Sequence, residues 1–276
     1  MRSVAILAQK EVRDGLRNRW VLAATLLLAA FALTLAFLGS APTGTVGASP
    51  LAVTVVSLSS LTIFLIPLIA LLLSYDAVLG EIDRGTMALL LTYPVARWQV
   101  IAGKFLGHAA ILAFATLVGY GAAGLALWLS SDRPDAAAWH AFAAMIGSSI
   151  LLGGAFVSIG YLVNTLVRDR GTAAGVAIGI WLAFVLVYDM ALLGILVAGE
   201  GHYVTPEILT WLLLLNPADA YRLFNLAGLG GVSTFAGMSG LSEQIELAPA
   251  ALVAVLAAWT VVSLALATAL FTRKAV

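Results

Sequence analysis

The sequence predicts an all-α membrane protein in which six transmembrane helices are joined by short polar segments. Of its 276 residues, 62% are hydrophobic and only 10% are charged, whereas soluble domains carry about 25% charged residues. The apolar residues gather in six runs, each long enough to cross a bilayer core, which needs about 20 residues of helix. The charged residues lie mainly between these runs. We therefore expect one transmembrane domain over residues 1–276.

The predicted spans cover about 20–39, 52–75, 105–130, 141–167, 172–198 and 249–271. Ahead of them, residues 1–19 place Val4, Ala8, Val12 and Leu16 on one helical face and the basic residues on another. This pattern predicts an amphipathic helix that lies in the headgroup region. The alternative is a basic leader that only sets the topology.

The positions of Lys and Arg predict which side of the membrane each segment occupies. Basic residues accumulate on the cytoplasmic side. With the N-terminus inside, only Arg133 and Arg222 fall outside. The cytoplasmic residues are Arg2, Lys10, Arg13, Arg17, Arg19, Arg84, Arg97, Lys104, Arg168, Arg170, Arg273 and Lys274. The sequence thus predicts a multi-pass membrane protein with both termini cytoplasmic.

The longest segment between spans, residues 199–248, is predicted to be an outer helical insertion. A Thr-Pro pair at 205–206 is typical of a helix start, with proline at the first helical position. The apolar run 208–215 is too short to span, so we expect it to lie in the interface or to re-enter. An Asn-Pro pair at 216–217 repeats the start signal, and Asp219 lies where the helix dipole favours a carboxylate.

The residue types present exclude several kinds of site. The chain has no cysteine, which excludes disulfides and thiolate metal sites, and its net charge of zero gives no reason to expect nucleic acid binding. Its histidines show no metal-ligand spacing, so we predict no metal site. Gly103-Lys104 lacks the rest of a phosphate-binding loop. ATP and Mg²⁺ would therefore have to be bound by another chain.

The fifth predicted span carries a carboxylate and a run of small residues. Asp189 lies inside the apolar run near its outer end. Acids within a membrane are costly, so Asp189 is either functional or a hydrogen-bonded structural acid near the boundary. A functional Asp189 would fit a different class of protein, a stand-alone transporter driven by protons or ions. Gly171, Gly175 and Gly179 form a small-xxx-small pattern that predicts close helix packing.

The stretch from Gly80 to Lys104 is the most polar part of the predicted inner side. Leu79, Ile82, Thr86, Leu89 and Tyr93 share one helical face, while Glu81 and Arg84 lie on another. This spacing predicts one amphipathic helix parallel to the membrane, ending before Pro94. We expect its apolar face to meet the membrane and its charged face to meet a partner. The alternative is an interfacial loop without a function of its own.

This stretch resembles the first inner loop of the permease subunits of type-two ABC transporters. The matching residues are Glu81, Gly85, Thr86, Leu89, Pro94, Arg97, Gly103 and Lys104, with Met87 and Ala96 as departures. In that family the loop is a coupling helix that docks on an ATP-binding subunit. The resemblance therefore implies a coupling loop at 76–104 in which Glu81, Arg84, Gly85, Thr86, Leu89, Pro94 and Arg97 contact or position the ATPase. It also implies a non-catalytic homodimer that carries two cytoplasmic ATP-binding subunits.

A second resemblance concerns the run Leu-Asn-Pro-Ala-Asp-Ala-Tyr-Arg at 215–222. It is similar to the permeases of transporters that assemble the copper centres of nitrous oxide reductase, beside a periplasmic accessory protein. The resemblance implies that Asn216, Pro217, Asp219, Tyr221 and Arg222 form an outer gate or partner surface. Because the chain has no cysteine and no clustered Met/His path, mechanical work on the periplasmic partner fits these residues better than copper conduction.

Overall fold

The computed structural model describes residues 2–38, 50–129, 136–198, 205–227 and 248–273, and these residues form helices without any strand. The helices are α1 (Arg2–Leu16), α2 (Arg19–Leu38), α3 (Pro50–Ser74), α4 (Leu79–Asp83), α5 (Thr86–Leu91), α6 (Arg97–Leu129), α7 (Ala136–Leu166), α8 (Arg170–Leu182), α9 (Tyr188–Ala198), α10 (Pro206–Leu214), α11 (Pro217–Ala227) and α12 (Pro249–Arg273). A π-helical turn at Ala183–Val187 joins α8 to α9.

In the part of the chain that the structure describes, six helical segments are long and apolar enough to cross a membrane, which confirms the predicted number and order of spans. Their bounds are Arg19–Leu38, Val53–Asp83, Arg97–Leu129, Ala136–Leu166, Arg170–Ala198 and Pro249–Arg273. The largest differences are at the second span, which extends to Asp83 rather than 75, and at the third span, whose helix begins at Arg97 rather than near residue 105. Hydropathy marks the part of a helix that suits lipid, whereas the helix itself continues into polar sequence.

Helix α7 lies at the centre of the bundle. It packs against α3, α6 and α12 and is the most buried of the six spans. The fifth span, formed by α8, the π-helical turn and α9, is peripheral and is the least buried of the six. Most of its surface is therefore available to lipid or to another protein.

Helix α1 lies along the first turns of α6, and two glycines permit the close approach. A Cβ atom on Gly103 would lie 2.6 Å from the Leu7 Cβ, and one on Gly107 would lie 2.4 Å from the Glu11 Cβ. Real side chains do not tolerate such distances. The predicted N-terminal helix is present, and its location in the headgroup region stays a prediction.

The two ends of the bundle differ in character. Helices α1, α4 and α5 and the C-terminal turn of α12 share one end, because Arg97 donates a hydrogen bond to the Phe271 carbonyl oxygen. We call this the coupling end. Helices α10 and α11 lie at the opposite, far end. Of the predicted outer insertion 199–248, residues 199–204 and 228–247 lie outside the described residues.

Candidate functional site

The segment between helices α3 and α6, residues 75–96, forms the candidate site and is called the coupling segment. It contains two short helices, α4 and α5, rather than the single amphipathic helix that the spacing predicts. The break is at Gly85, whose φ of 71° lies in the left-handed region that favours glycine. The helical part ends before Pro94, as predicted.

The break rotates the two halves of the segment, so the predicted division into a membrane face and a partner face is wrong. Leu79 is 2% exposed and packs inside the bundle, and Glu81, expected to face the partner, is 8% exposed. By contrast, Leu89 and Tyr93 are 66% and 64% exposed. Arg84 is exposed as well. The surface that the segment offers to another molecule is therefore partly apolar and partly basic.

Four charged side chains form a buried cluster that joins the coupling segment to α1 and α6. The Lys104 Nζ, on a side chain only 2% exposed, lies 2.8 Å from Glu11 Oε1 and 2.8 Å from Glu81 Oε1. The half-exposed Lys10 lies 3.1 Å from each of the same two oxygens. The two ammonium groups balance the two carboxylates, which makes burial of the cluster tolerable.

The cluster also shifts the pKa values of its members on α1. Burial alone would raise the pKa of Glu11, but the Lys104 ammonium, assisted by His108 and Lys10, lowers it below its usual value. Burial alone would lower the pKa of Lys10, yet the carboxylates of Glu11 and Glu81 raise it. Both side chains are thus charged at neutral pH. The second oxygen of Glu81 is buried and has no hydrogen-bond partner among the described residues.

The start of the coupling segment is held by α7. Asn164, fully buried, accepts hydrogen bonds from the backbone N–H groups of Val78 and Leu79 at 3.3 and 3.2 Å. Its amide nitrogen donates to the Ser74 carbonyl oxygen at 2.6 Å. One side chain therefore satisfies the backbone where α3 ends and the coupling segment begins.

The fifth and sixth spans are tied to the same region by arginines. Arg170, at the start of α8, lies 2.5 Å from Asp76 Oδ2. Arg97 donates to the carbonyl oxygen of Phe271 at 3.1 Å and lies 5.8 Å above its ring. A guanidinium at these carbonyls suits the negative end of the helix dipole. Arg97, expected to serve the ATPase, is therefore placed to position α12, and its part in coupling stays a proposal.

A cavity of about 340 Å³ opens between α1 and the coupling segment. Its lining includes the buried cluster as well as Arg84, Thr86, Leu89 and Tyr93. The Thr86 hydroxyl donates to the Glu81 backbone oxygen at 3.1 Å across the Gly85 break. Of the seven predicted coupling residues, Glu81, Arg84, Thr86 and Leu89 line this cavity, whereas Gly85, Pro94 and Arg97 do not.

At the far end, α11 is embedded in the bundle. Asn216, Asp219 and Tyr221 are at most 1% exposed, and Pro217 is buried as well. In this conformation these four side chains lie inside the bundle, and their part in an outer gate or partner surface stays a proposal.

An arginine resolves the alternatives left open for Asp189. Arg222 lies 2.6 Å from Asp189 Oδ2 and 2.7 Å from Asp219 Oδ1. Asp189 is thus a paired acid at the far end rather than an isolated intramembrane carboxylate. This pairing does not favour the alternative of a stand-alone ion-driven transporter.

The predicted glycine packing is absent from the described part of the chain. Gly171, Gly175 and Gly179 are exposed, and a Cβ atom on Gly175 or Gly179 would meet no other residue within 4 Å. Any close packing on this face must come from another molecule. The described residues also contain no group of three or more His, Cys, Asp or Glu side chains that could hold a metal. His202 lies outside those residues.

Sequence reasoning missed three residues that organise the site, namely Glu11, Lys104 and Asn164. The sequence places Lys104 among the cytoplasmic cations and in the family pattern, but not in a buried ion pair, because its helix is predicted to begin after it. A usable signal is present, since Gly103 and Gly107 have the small-xxx-small spacing that indicates close approach of another helix. The structure shows that this helix is α1, which places Glu11 opposite Lys104.

Comparison with known proteins agrees with this architecture. The family model described as "ABC-2 family transporter protein" matches residues 5–276. A protein of Stutzerimonas stutzeri named "Probable ABC transporter permease protein NosY" is 47% identical over 275 residues, covering 99% of both chains. A protein of the same name from Pseudomonas aeruginosa is 48% identical over 269 residues, covering 97% of both chains.

Proposed function

Because this chain belongs to the ABC-2 family and is an ABC transporter permease, we propose that it couples ATP hydrolysis by a separate cytoplasmic subunit to movement at the far end of the bundle. In this proposal the chain itself is non-catalytic, and ATP and Mg²⁺ are bound by the partner. The exposed rim of the coupling segment, with Arg84, Thr86, Leu89 and Tyr93, is the docking surface.

The observation that carries the proposal is the set of polar contacts around the coupling segment. Glu81 is bound to α6 through Lys104, and the Val78–Leu79 backbone is bound to α7 through Asn164. Arg97 and Asp76 extend the contacts to α12 and α8. A displacement of this short segment would therefore act directly on α6, α7 and α8 and, through Arg97 at the start of α6, on α12. The buried Glu81–Lys104 pair is the costliest of these contacts to break.

The packing provides a path from these contacts to the far end. Helix α12, held by Arg97 at the coupling end, packs against α7 along the bundle and against α11 beyond it. Helix α11 is fixed to α7 by a hydrogen bond of 3.0 Å between the hydroxyls of Tyr221 and Ser149. Tightly packed helices move as units. Force at the coupling segment would thus reach α11.

The same proposal includes the assembly in which the chain works. Two copies would pair in the inner membrane, each with one ATP-binding subunit, and both termini would be cytoplasmic. The peripheral fifth span, with Gly175 and Gly179 exposed, is available for this pairing. The resemblance of residues 215–222 supports work on a periplasmic accessory protein during copper-centre assembly of nitrous oxide reductase.

The docking surface can be tested with two matched leucines at the coupling end. Leu89, in the coupling segment, and Leu166, at the end of α7, are 66% and 64% exposed. We expect that an ATPase co-purifies with the tagged wild-type chain from its native membrane and is lost in Leu89→Asp. Leu166→Asp should retain it. Retention in both variants, or no ATPase with the wild type, would contradict the proposal.

A further inference from the structure

The outer half of the fifth span meets α10 and α11 through a compact polar junction. The Arg222 guanidinium on α11 bonds to Asp189 on α9 and to Asp219 on its own helix. The Tyr188 hydroxyl, beside Asp189, donates to the Leu212 backbone oxygen of α10 at 2.5 Å. Arg222 and Asp189 side chains are 20% and 25% exposed, while that of Asp219 is 1% exposed.

The π-helical turn of the fifth span is part of the same junction. The amide nitrogen of Asn216 donates to the Phe184 carbonyl oxygen, inside the turn, and to Asp219 Oδ2, both at 2.9 Å. A π-helical turn changes the hydrogen-bond register and is often found at functional sites. Asn216 therefore links the irregular part of the fifth span to the charged group on α11.

Other side chains of α11 bind it to the centre of the bundle. Asn225 donates to the Ser148 hydroxyl at 3.1 Å, Tyr221 bonds to Ser149, and α11 packs on α12. Helix α11 thus stands between a firmly packed centre and a peripheral span. Besides the polar junction, residues 183–198 are held by the buried Val185, by the ring of Phe184 against Phe156 and Trp259, and by a small cluster of Leu192 with Leu209 and Leu213.

We propose that Arg222 is a positioning residue that latches the outer half of the fifth span, residues 183–198, onto α11 and releases it when the far end moves. This inference rests on the proposed function, because the movement that opens the latch comes from the coupling segment. Arg222 can hold Asp189 and Asp219 at once because its guanidinium is a rigid fork with several donors. When α11 and the outer half of the fifth span separate, water replaces the guanidinium as the partner of each carboxylate.

The charge balance makes the latch sensitive to pH. Burial raises the pKa of Asp219 to about 7, with Arg222 opposing and Asp189 adding to the rise. The other titratable group against it is Tyr188, while Glu207 on α10 and His140 on α7 are exposed. When Asp219 is ionised, one guanidinium faces two carboxylates, and one negative charge is left without a counter-charge.

The sign of the effect follows from the raised pKa. When the latch opens, the pKa of Asp219 falls towards its usual value of 3.8. The closed form therefore binds the proton more tightly than the open form. Closure is fully favoured below about pH 4 and is weakened as pH rises through about 7. Between pH 6 and pH 8 the opening equilibrium should increase about tenfold.

Hydrogen exchange of the full chain in lipid nanodiscs, with its ATP-binding subunit bound, tests the latch. After correction for intrinsic exchange rates, residues 183–198 and 205–227 of the wild type should exchange about tenfold faster at pH 8 than at pH 6. Asp219→Asn should remove this pH dependence. Arg222→Met should accelerate exchange in both segments but not in α6, and Arg222→Lys should restore part of the protection.

Two results would overturn the latch. One is wild-type exchange at these segments that is equal at both pH values. The other is acceleration in Arg222→Met that is uniform over all spans, which would indicate general destabilisation only. Adding ATP separates this inference from the proposed function. If exchange of the two segments depends on pH but does not respond to ATP, the junction is a pH-sensitive contact as proposed. The coupling of its release to ATP hydrolysis is then refuted.

Discussion

Removal of the Lys104 charge should destabilise the coupling end more than any other single change of a lysine there. Lys104→Met keeps the length of the side chain but deprives Glu11 and Glu81 of an ammonium 2.8 Å away. Loss of one partner of a buried ion pair costs roughly 3–5 kcal/mol. Because Lys10 still lies 3.1 Å from both carboxylates, we expect the lower end, about 3 kcal/mol of unfolding free energy.

Lys10→Met is the matched control. Its side chain is 51% exposed, against 2% for Lys104, although both ammonium groups contact the same two oxygens. Exposed ion pairs contribute about 0–1 kcal/mol, so the control should cost that much or less. The free energy of unfolding would be measured on the purified chain in detergent by tryptophan fluorescence. Equal losses in the two variants would refute the account of the buried cluster.

Three further predictions concern the coupling end. Gly85→Ala should cost about 1 kcal/mol of unfolding free energy, because the φ of 71° at this position disfavours a Cβ atom. Gly85→Asn should cost less, since asparagine tolerates the left-handed region better than alanine. Equal costs would contradict the backbone explanation. Arg97→Met should lower ATP-driven movement of α12 in the assembled complex, measured by spin-label distances, while Arg97→Lys retains part of it; unchanged movement in Arg97→Met would exclude Arg97 as the link. Glu11 has a lowered pKa, so its stabilising effect is present above its usual pKa and is lost as pH falls through the lowered value. Glu11→Gln should flatten the acid limb of the stability curve, and an unaltered limb would contradict this role.

The six spans could be predicted because a bilayer sets their length and composition. The interior of the coupling segment could not, since the spacing of Leu79, Glu81 and Leu89 assumes one continuous helix. A single glycine in the left-handed region reorients the segment, so that Leu79 and Glu81, from different predicted faces, are both buried while Leu89 is exposed. Gly85 was noted as part of a family pattern, but its backbone conformation depends on the tertiary fold.

The far end shows a second limit of prediction from the sequence. The run 208–215 is too short to span, which predicts a re-entrant or interfacial position, but hydropathy does not say how deeply the following helix enters. The burial of α11 could have been inferred from charge pairing. Asp189 needs a cation if it lies within the membrane, and Arg222 is one of only two basic residues predicted on that side.

The docking of an ATP-binding subunit on the coupling segment is the central claim, and the absence of cysteine from the chain makes it directly testable. Leu89→Cys introduces one reactive thiol at a 66% exposed position of the segment, and Trp128→Cys provides a control at the far end that is 65% exposed. With a short thiol-to-amine cross-linker in native membranes, we predict an adduct between Leu89→Cys and an ATP-binding protein and none from Trp128→Cys. The absence of an adduct at Leu89→Cys, or equal adducts at both positions, would contradict the account.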